Sequence, residues 1–265
     1  MTRFLSFGTH SKIALLLFVI FYIGFGIAVT VFQEKLIYLR FSQDFDTCAA
    51  FKSAEKIELG GTRAYFKNVG DQLAVLYHGN AGSACDRGYW AEIFENNGYS
   101  YLIVEYEGYS NDGSQPSHEG VKRNVDDVVS FITSGNFRNI AVVGESIGSG
   151  AASYHASLSA PQKILLIAPF SSLADLAKSV YWFYPTFLMV DNAFDNTIYL
   201  KDYSGSALVI HGEADNGIPQ KFGRKLFDTI GSTNKRFVSI PQAGHNDILG
   251  FDDFIKEVNN FLKSP

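Results

Sequence analysis

Along the chain the spacing of apolar residues changes character twice. From Ile13 to Phe32 the sequence IALLLFVIFYIGFGIAVTVF carries no charge, and only Gly24, Gly26 and Thr30 fall outside the apolar set. A helix of this length reaches roughly 30 Å, the thickness of a bilayer's hydrocarbon layer. A cleaved signal peptide is the rival reading, with Arg3 and Lys12 as its charged start and Gly26-Ile27-Ala28 as its cleavage site. The run continues past Ala28 to Phe32, longer than a usual signal core, which favours a retained anchor. Lys and Arg are nearly balanced about the span, with Arg3 and Lys12 before it and Lys35 and Arg40 after it. The orientation we expect puts the N-terminus in the cytoplasm and the main domain outside.

Beyond residue 54 short β-rich runs alternate with stretches of helical period. Strands are predicted at Lys56–Leu59, Thr62–Phe66, Leu73–His78, Tyr101–Tyr106, Ile140–Val143, Lys163–Ala168, Ser206–His211 and Arg236–Ile240. Several are nearly unbroken apolar runs, as in strands covered on both faces, and the first two flank Gly60-Gly61 like an edge hairpin. Helices are predicted at Ala84–Asn97, Glu119–Ser134, Ile147–Ala160, Pro219–Ile230 and Asp247–Lys263; in the last, Ile248, Phe251, Ile255, Val258 and Leu262 form one face. This alternation predicts an α/β fold with a mostly parallel sheet of about eight strands. The organisation expected is a tail over 1–12, a span over 13–32, a linker over 33–54 and one α/β domain over 55–265, with a small insertion at about 171–203.

Composition narrows the function classes. The 265 residues carry 22 Lys and Arg against 27 Asp and Glu, a formal charge of −5, so no basic surplus exists to neutralise a phosphate backbone and nucleic acid is an unfavoured partner. The two cysteines, Cys48 and Cys85, match no zinc or redox spacing. They can pair in an oxidising compartment and stay as thiols elsewhere.

The strongest chemical signal is Gly144-Glu145-Ser146-Ile147-Gly148, between a predicted strand and a predicted helix. Glycine at 144 and 148 suits a turn too tight for side chains, and the hydroxyl then projects at a helix N-terminus, which favours a developing anion. A serine needs a base, and the base needs an acid to orient it. Of six histidines, His10 precedes the span, and His118 and His155 lie in a loop and on a helix. His78 and His211 end strands and are read as structural, which leaves His245 in the polar loop Gln242–Asp247. The acid is expected after the penultimate strand, where Asp215 is preferred to Glu213 because it lies closer to the helix start at Pro219. Oxyanion donors are expected at the Ile147 amide and at Asn80, in His78-Gly79-Asn80-Ala81-Gly82. Neither phosphate-binding fingerprint, Walker A or dinucleotide, occurs there.

The order Ser146, Asp215, His245 is that of α/β-hydrolases. With the apolar N-terminal run, HGNAG at 78 to 82, Tyr106 to Tyr109, Pro116 to Gly120, GESIG, HGxxDxxxP at 211 to 219 and the late Gly244-His245, the chain resembles that superfamily and, within it, the membrane-anchored bud-emergence (Bem) type, over roughly residues 55 to 262. Glu107 and Ser110 depart from the pattern, standing where a basic residue and glycine are expected. The resemblance implies a serine hydrolase of carboxylic esters or thioesters, with acyl transfer, peptide cleavage or a catalytically silent binding domain as alternatives. It implies no metal or organic cofactor. Tyr181, Trp182, Phe183 and Phe187 fall where the fold commonly carries a lid; they are expected either to line an acyl pocket or to pack the core.

Overall fold

The computed structural model describes residues 9–39, 43–186, 190 and 194–264. Eight strands form one sheet: β1 (Glu55–Leu59), β2 (Thr62–Lys67), β3 (Gln72–Tyr77), β4 (Ser100–Glu105), β5 (Asn139–Glu145), β6 (Lys163–Ile167), β7 (Ser206–Gly212) and β8 (Lys235–Ile240), in the order β1-β2-β4-β3-β5-β6-β7-β8. β1 and β2 are an antiparallel hairpin, β2 also runs antiparallel to β4, and every later pairing is parallel. The expected strands all form, with ends shifted by a residue or two.

Side-chain alternation along the central strands feeds two cores. In β3, Leu73, Val75 and Tyr77 point into the core shared with α3 (His118–Ser134) and α4 (Gly148–Ser159), whereas Ala74 and Leu76 join the opposite core, which contains Trp90 and Phe94 of α2 (Tyr89–Asn96). β5 divides in the same way, Val142 to the first core and Val143 to the second, both without solvent exposure. Such burial stabilises by about 1.5–3 kcal/mol per large aliphatic side chain. The predicted helix over 84 to 97 is divided into a 3-10 turn, Ala84–Arg87, and α2, and the last predicted helix likewise begins as a 3-10 turn, Ile248–Gly250.

The segment 33–54 is not a free linker. The N-terminal helix α1 (Thr9–Ile37) runs on into it, and Tyr38, Phe45 and Phe51 are buried. The physical reason is its aromatic content: Phe51 stacks on Tyr65 of β2, and the Tyr65 hydroxyl donates to the Phe45 carbonyl at 3.0 Å. Cys48 and Cys85 form a disulfide that ties this segment to the 3-10 turn after β3. α1 is the one helix, among the described residues, long and apolar enough to cross a membrane. Between β6 and β7, α5 (Leu173–Val180) and α6 (Asn196–Leu200) are joined at their bases by a bridge between Ser172 and Asp195.

Candidate active site

β5 ends at Glu145, and the chain turns at Ser146 with φ of 51° before entering α4. A left-handed serine costs of the order of 1–3 kcal/mol and persists only where its surroundings hold it. Here the Ser146 amide donates to the Ile167 carbonyl at 2.8 Å, and the Ser149 amide donates to the Ser146 carbonyl at 3.0 Å. Both flanking glycines are needed for space. A Cβ on Gly148 would run into the Tyr77 and His78 carbonyls, and one on Gly144 would lie 2.7 Å from the Ala152 side chain.

Three distant segments meet at this turn. Ser146 Oγ lies 2.9 Å from His245 Nε2, and His245 Nδ1 lies 2.8 Å from Asp215 Oδ2. The His245 loop is pinned by the Gly244 amide, which donates to Asp247 Oδ1 at 2.6 Å. Gly217 leaves room for the imidazole, since a Cβ there would sit 3.1 Å from His245 Cγ. Asp215 Oδ1 accepts the Gly217 and Ile218 amides at 2.9 and 2.8 Å, and His211 Nε2 stands 3.3 Å from Oδ2. Burial works to raise the Asp215 pKa, but the bonds from His211, His245 and the Ile218 amide outweigh it and hold the carboxyl well below the usual carboxylate range. Asp215 is buried; Glu213, the other candidate, is exposed.

Ser146 and His245 open on a cavity of about 460 Å³, whose wall also includes Gly79, Asn80, Ala81, Ile167, Ile248 and Leu249. Asn80 precedes Ala81, which has φ of 55°. The Asn80 carboxamide is turned away to the end of α1, donating to the Ile37 carbonyl at 2.5 Å and accepting the Leu39 amide at 2.8 Å. Ile147 immediately precedes α4, so its amide lies at that helix's N-terminus.

The aromatic segment lies elsewhere than expected. Tyr181, Trp182 and Phe183 are absent from the wall of this cavity, and Trp182 is 78% exposed. Tyr184, their neighbour, stacks on Tyr22 of α1 with centroids 4.3 Å apart, and this contact draws the segment to the N-terminal helix instead of over Ser146. Phe187 lies outside the described residues.

Sequence reasoning missed the carboxylate beside the serine. Glu145 is buried and accepts from Arg87 Nε at 2.7 Å, the Tyr89 hydroxyl at 2.7 Å and Trp90 Nε1 at 2.6 Å. An acidic residue inside a glycine-flanked turn is the available signal, because a charge there must find donors. The two departures from the family pattern have partners of their own: Glu107 pairs with Arg123 at 2.8 Å, and the Ser110 hydroxyl donates to Glu105 at 2.5 Å. Among the described residues no group of three His, Cys, Asp or Glu side chains is arranged to hold a metal ion.

No protein-family model matches the sequence. Among solved structures, an esterase from Pyrococcus furiosus superposes with a TM-score of 0.68 at 14% identity, covering 85% of this chain and 96% of its own. The esterase Est1E from Butyrivibrio proteoclasticus, with ferulic acid bound, gives a TM-score of 0.65 at 16% identity over 79% of this chain and 96% of its own. Protein bem46 of Schizosaccharomyces pombe is 26% identical over 206 residues, 71% of this chain and 66% of the relative. The chain has the α/β-hydrolase fold. It is also 28% identical over 200 residues to an uncharacterized protein of Mycobacterium tuberculosis, covering 74% of this chain and 71% of that one. The chicken lysophosphatidylserine lipase ABHD12 is 26% identical over 185 residues, which cover 62% of this chain but only about half, 48%, of the lipase.

Proposed function

We propose that this α/β-hydrolase is a membrane-anchored serine hydrolase that cleaves carboxylic esters or thioesters of medium or long acyl chains through an acyl-enzyme. The observation that carries the reading is the continuous contact Ser146 Oγ to His245 Nε2 to Asp215, at 2.9 and 2.8 Å, opening on a cavity with apolar wall residues. As Ser146 Oγ bonds to the acyl carbon, its proton passes to His245 Nε2 and the carbonyl electrons move onto oxygen. The Asn80 and Ile147 amides stabilise that oxyanion; losing one such donor costs roughly 2.7–4 kcal/mol in enzymes of this kind. The intermediate collapses as the bond to the leaving alcohol or thiol breaks, and His245 returns the proton to it. Water then repeats the sequence on the acyl-serine and releases the acid. Asp215, ionised over the whole neutral range, keeps the imidazole oriented and offsets its positive charge.

The anchor is α1, and the Cys48–Cys85 disulfide favours an oxidising, extracytoplasmic setting for the domain. A lipid-like acyl substrate accords with that anchor and with the lipase name of the chicken relative. Labelling with a fluorophosphonate probe tests the chemistry: the wild-type protein is expected to react and a folded Ser146→Ala variant not to, and an unreactive wild type would sink the mechanism. Protease protection on intact cells tests the side, with digestion of the domain from outside as the expected result.

A further inference from the structure

α1 meets the domain at a second place, far from its C-terminal end. The Tyr22 hydroxyl donates to the Phe183 carbonyl at 2.7 Å, and the Tyr184 hydroxyl donates to the Tyr22 carbonyl at 2.9 Å. The Tyr22 and Tyr184 rings are nearly parallel, 8° apart, and Phe25 packs beside Tyr184 at 5.6 Å. The contact lies on a seam of α1 formed by Tyr22, Gly26, Val29, Thr30, Gln33, Glu34 and Ile37, the residues of the helix that are at least partly covered, while the remaining faces of the apolar run stay open. Tyr22 is ten residues before Phe32, the end of the uncharged run, so it stands about 15 Å along the helix from that end. A bilayer that receives Ile13 to Phe32 therefore also surrounds whatever is fastened to α1 at Tyr22.

What is fastened there presents apolar side chains outward. Val180 is 59% exposed, Trp182 78% and Phe183 50%. Both tyrosine hydroxyls at the contact are paired, which suits hydrocarbon, where an unpaired hydroxyl is costly.

We infer that the segment Val180–Tyr184 is a second membrane-embedded element, seated beside α1 among the acyl chains, so that the domain is partly sunk in the bilayer and not merely tethered to it. This rests on the reading of α1 as a retained anchor. The sunken segment belongs to the insertion of the catalytic domain, so acyl chains of the bilayer lie against that domain as well as against its anchor.

The experiment uses the full chain in phosphatidylcholine vesicles. Trp182 and Trp90 are the two tryptophans, and Trp90 is fully buried, so the difference between wild type and Trp182→Phe isolates the Trp182 emission. Phosphatidylcholine brominated along its acyl chains is expected to quench most of that emission and aqueous iodide little of it, and Ser146→Ala is expected to behave identically because no catalysis is involved. Quenching by iodide without quenching by brominated lipid, or by neither, overturns the inference. Alkaline carbonate extraction separates the two readings. A chain that washes off the vesicles removes both the anchor and this inference, whereas a chain that stays with Trp182 open to iodide leaves the anchor standing and removes only the second element.

Discussion

Two strand ends in this molecule carry the same pair of groups. After β3, His78 Nε2 stands 3.3 Å from Glu105 Oε1, and at the end of β7, His211 Nε2 stands 3.3 Å from Asp215 Oδ2, with all four side chains inaccessible to solvent. The difference lies in what else the carboxylate holds. Glu105 Oε2 accepts the Ser110 hydroxyl and the Ala84 amide, and the network stops there. Asp215 Oδ2 takes a second imidazole, His245, which is partly exposed and reaches the hydroxyl of Ser146 beside an open cavity. A buried histidine and carboxylate are thus a structural unit on one side of the site and part of a proposed proton path on the other. The deciding feature is whether the network ends on an alcohol that a substrate can reach.

Substitutions can break that contrast. Asp215→Asn is expected to lower kcat on the order of 10^4-fold with the fold retained, because the imidazole loses both its orientation and its compensating charge. Glu105→Gln is expected to change kcat by no more than about threefold, and to lower stability by about 1–2 kcal/mol, because an uncharged amide oxygen accepts the Ser110 and Ala84 donors more weakly than a carboxylate does. Steady-state kinetics and urea unfolding on both variants decide the matter, and equal losses of activity would remove the distinction.

Removing a partner of Glu145 should act on stability. Arg87→Met leaves a carboxylate, 9% exposed at its side chain, with only the Tyr89 and Trp90 donors, and about 3 kcal/mol of unfolding free energy is expected to go, read from the urea midpoint. Asn80→Ala retains the backbone amide but releases the side chain from Ile37 and Leu39. We expect kcat to fall roughly tenfold with KM less affected, since a loosened loop misplaces the oxyanion donor proposed at Asn80. An unchanged kcat would show that the end of α1 does not position that loop.

A pH effect sharpens the comparison with a histidine that has no carboxylate. His155 is buried in α4, with Nδ1 2.9 Å from the Tyr77 hydroxyl, and burial lowers its pKa to about 3. Its folded pKa lies below the unfolded value of about 6.5, so between these values the unfolded chain binds the proton and the folded chain does not. This contribution to stability is whole above about pH 6.5 and shrinks as pH falls, by about 1.4 kcal/mol per pH unit. Asp215 behaves differently: its depressed pKa contributes stability that is present above the unfolded value near 4 and is lost only as pH falls below it. Urea midpoints measured from pH 7 to 5 should fall for wild type and stay flatter for His155→Gln.

Much of this was legible from local sequence. The eight strands, the turn at Ser146 and the chain order of Ser146, Asp215 and His245 follow from apolar periodicity and from glycines where side chains cannot fit, and those signals lie within a few residues of what they determine. Other features required the folded chain. That Glu145 finds Arg87, Tyr89 and Trp90, that Cys48 reaches Cys85 and that the aromatic segment joins Tyr22 instead of roofing the cavity are all contacts between distant segments. Periodicity reports which way a side chain points from its own element. It carries no record of which remote element will stand opposite, and that is decided when the two cores close on the sheet.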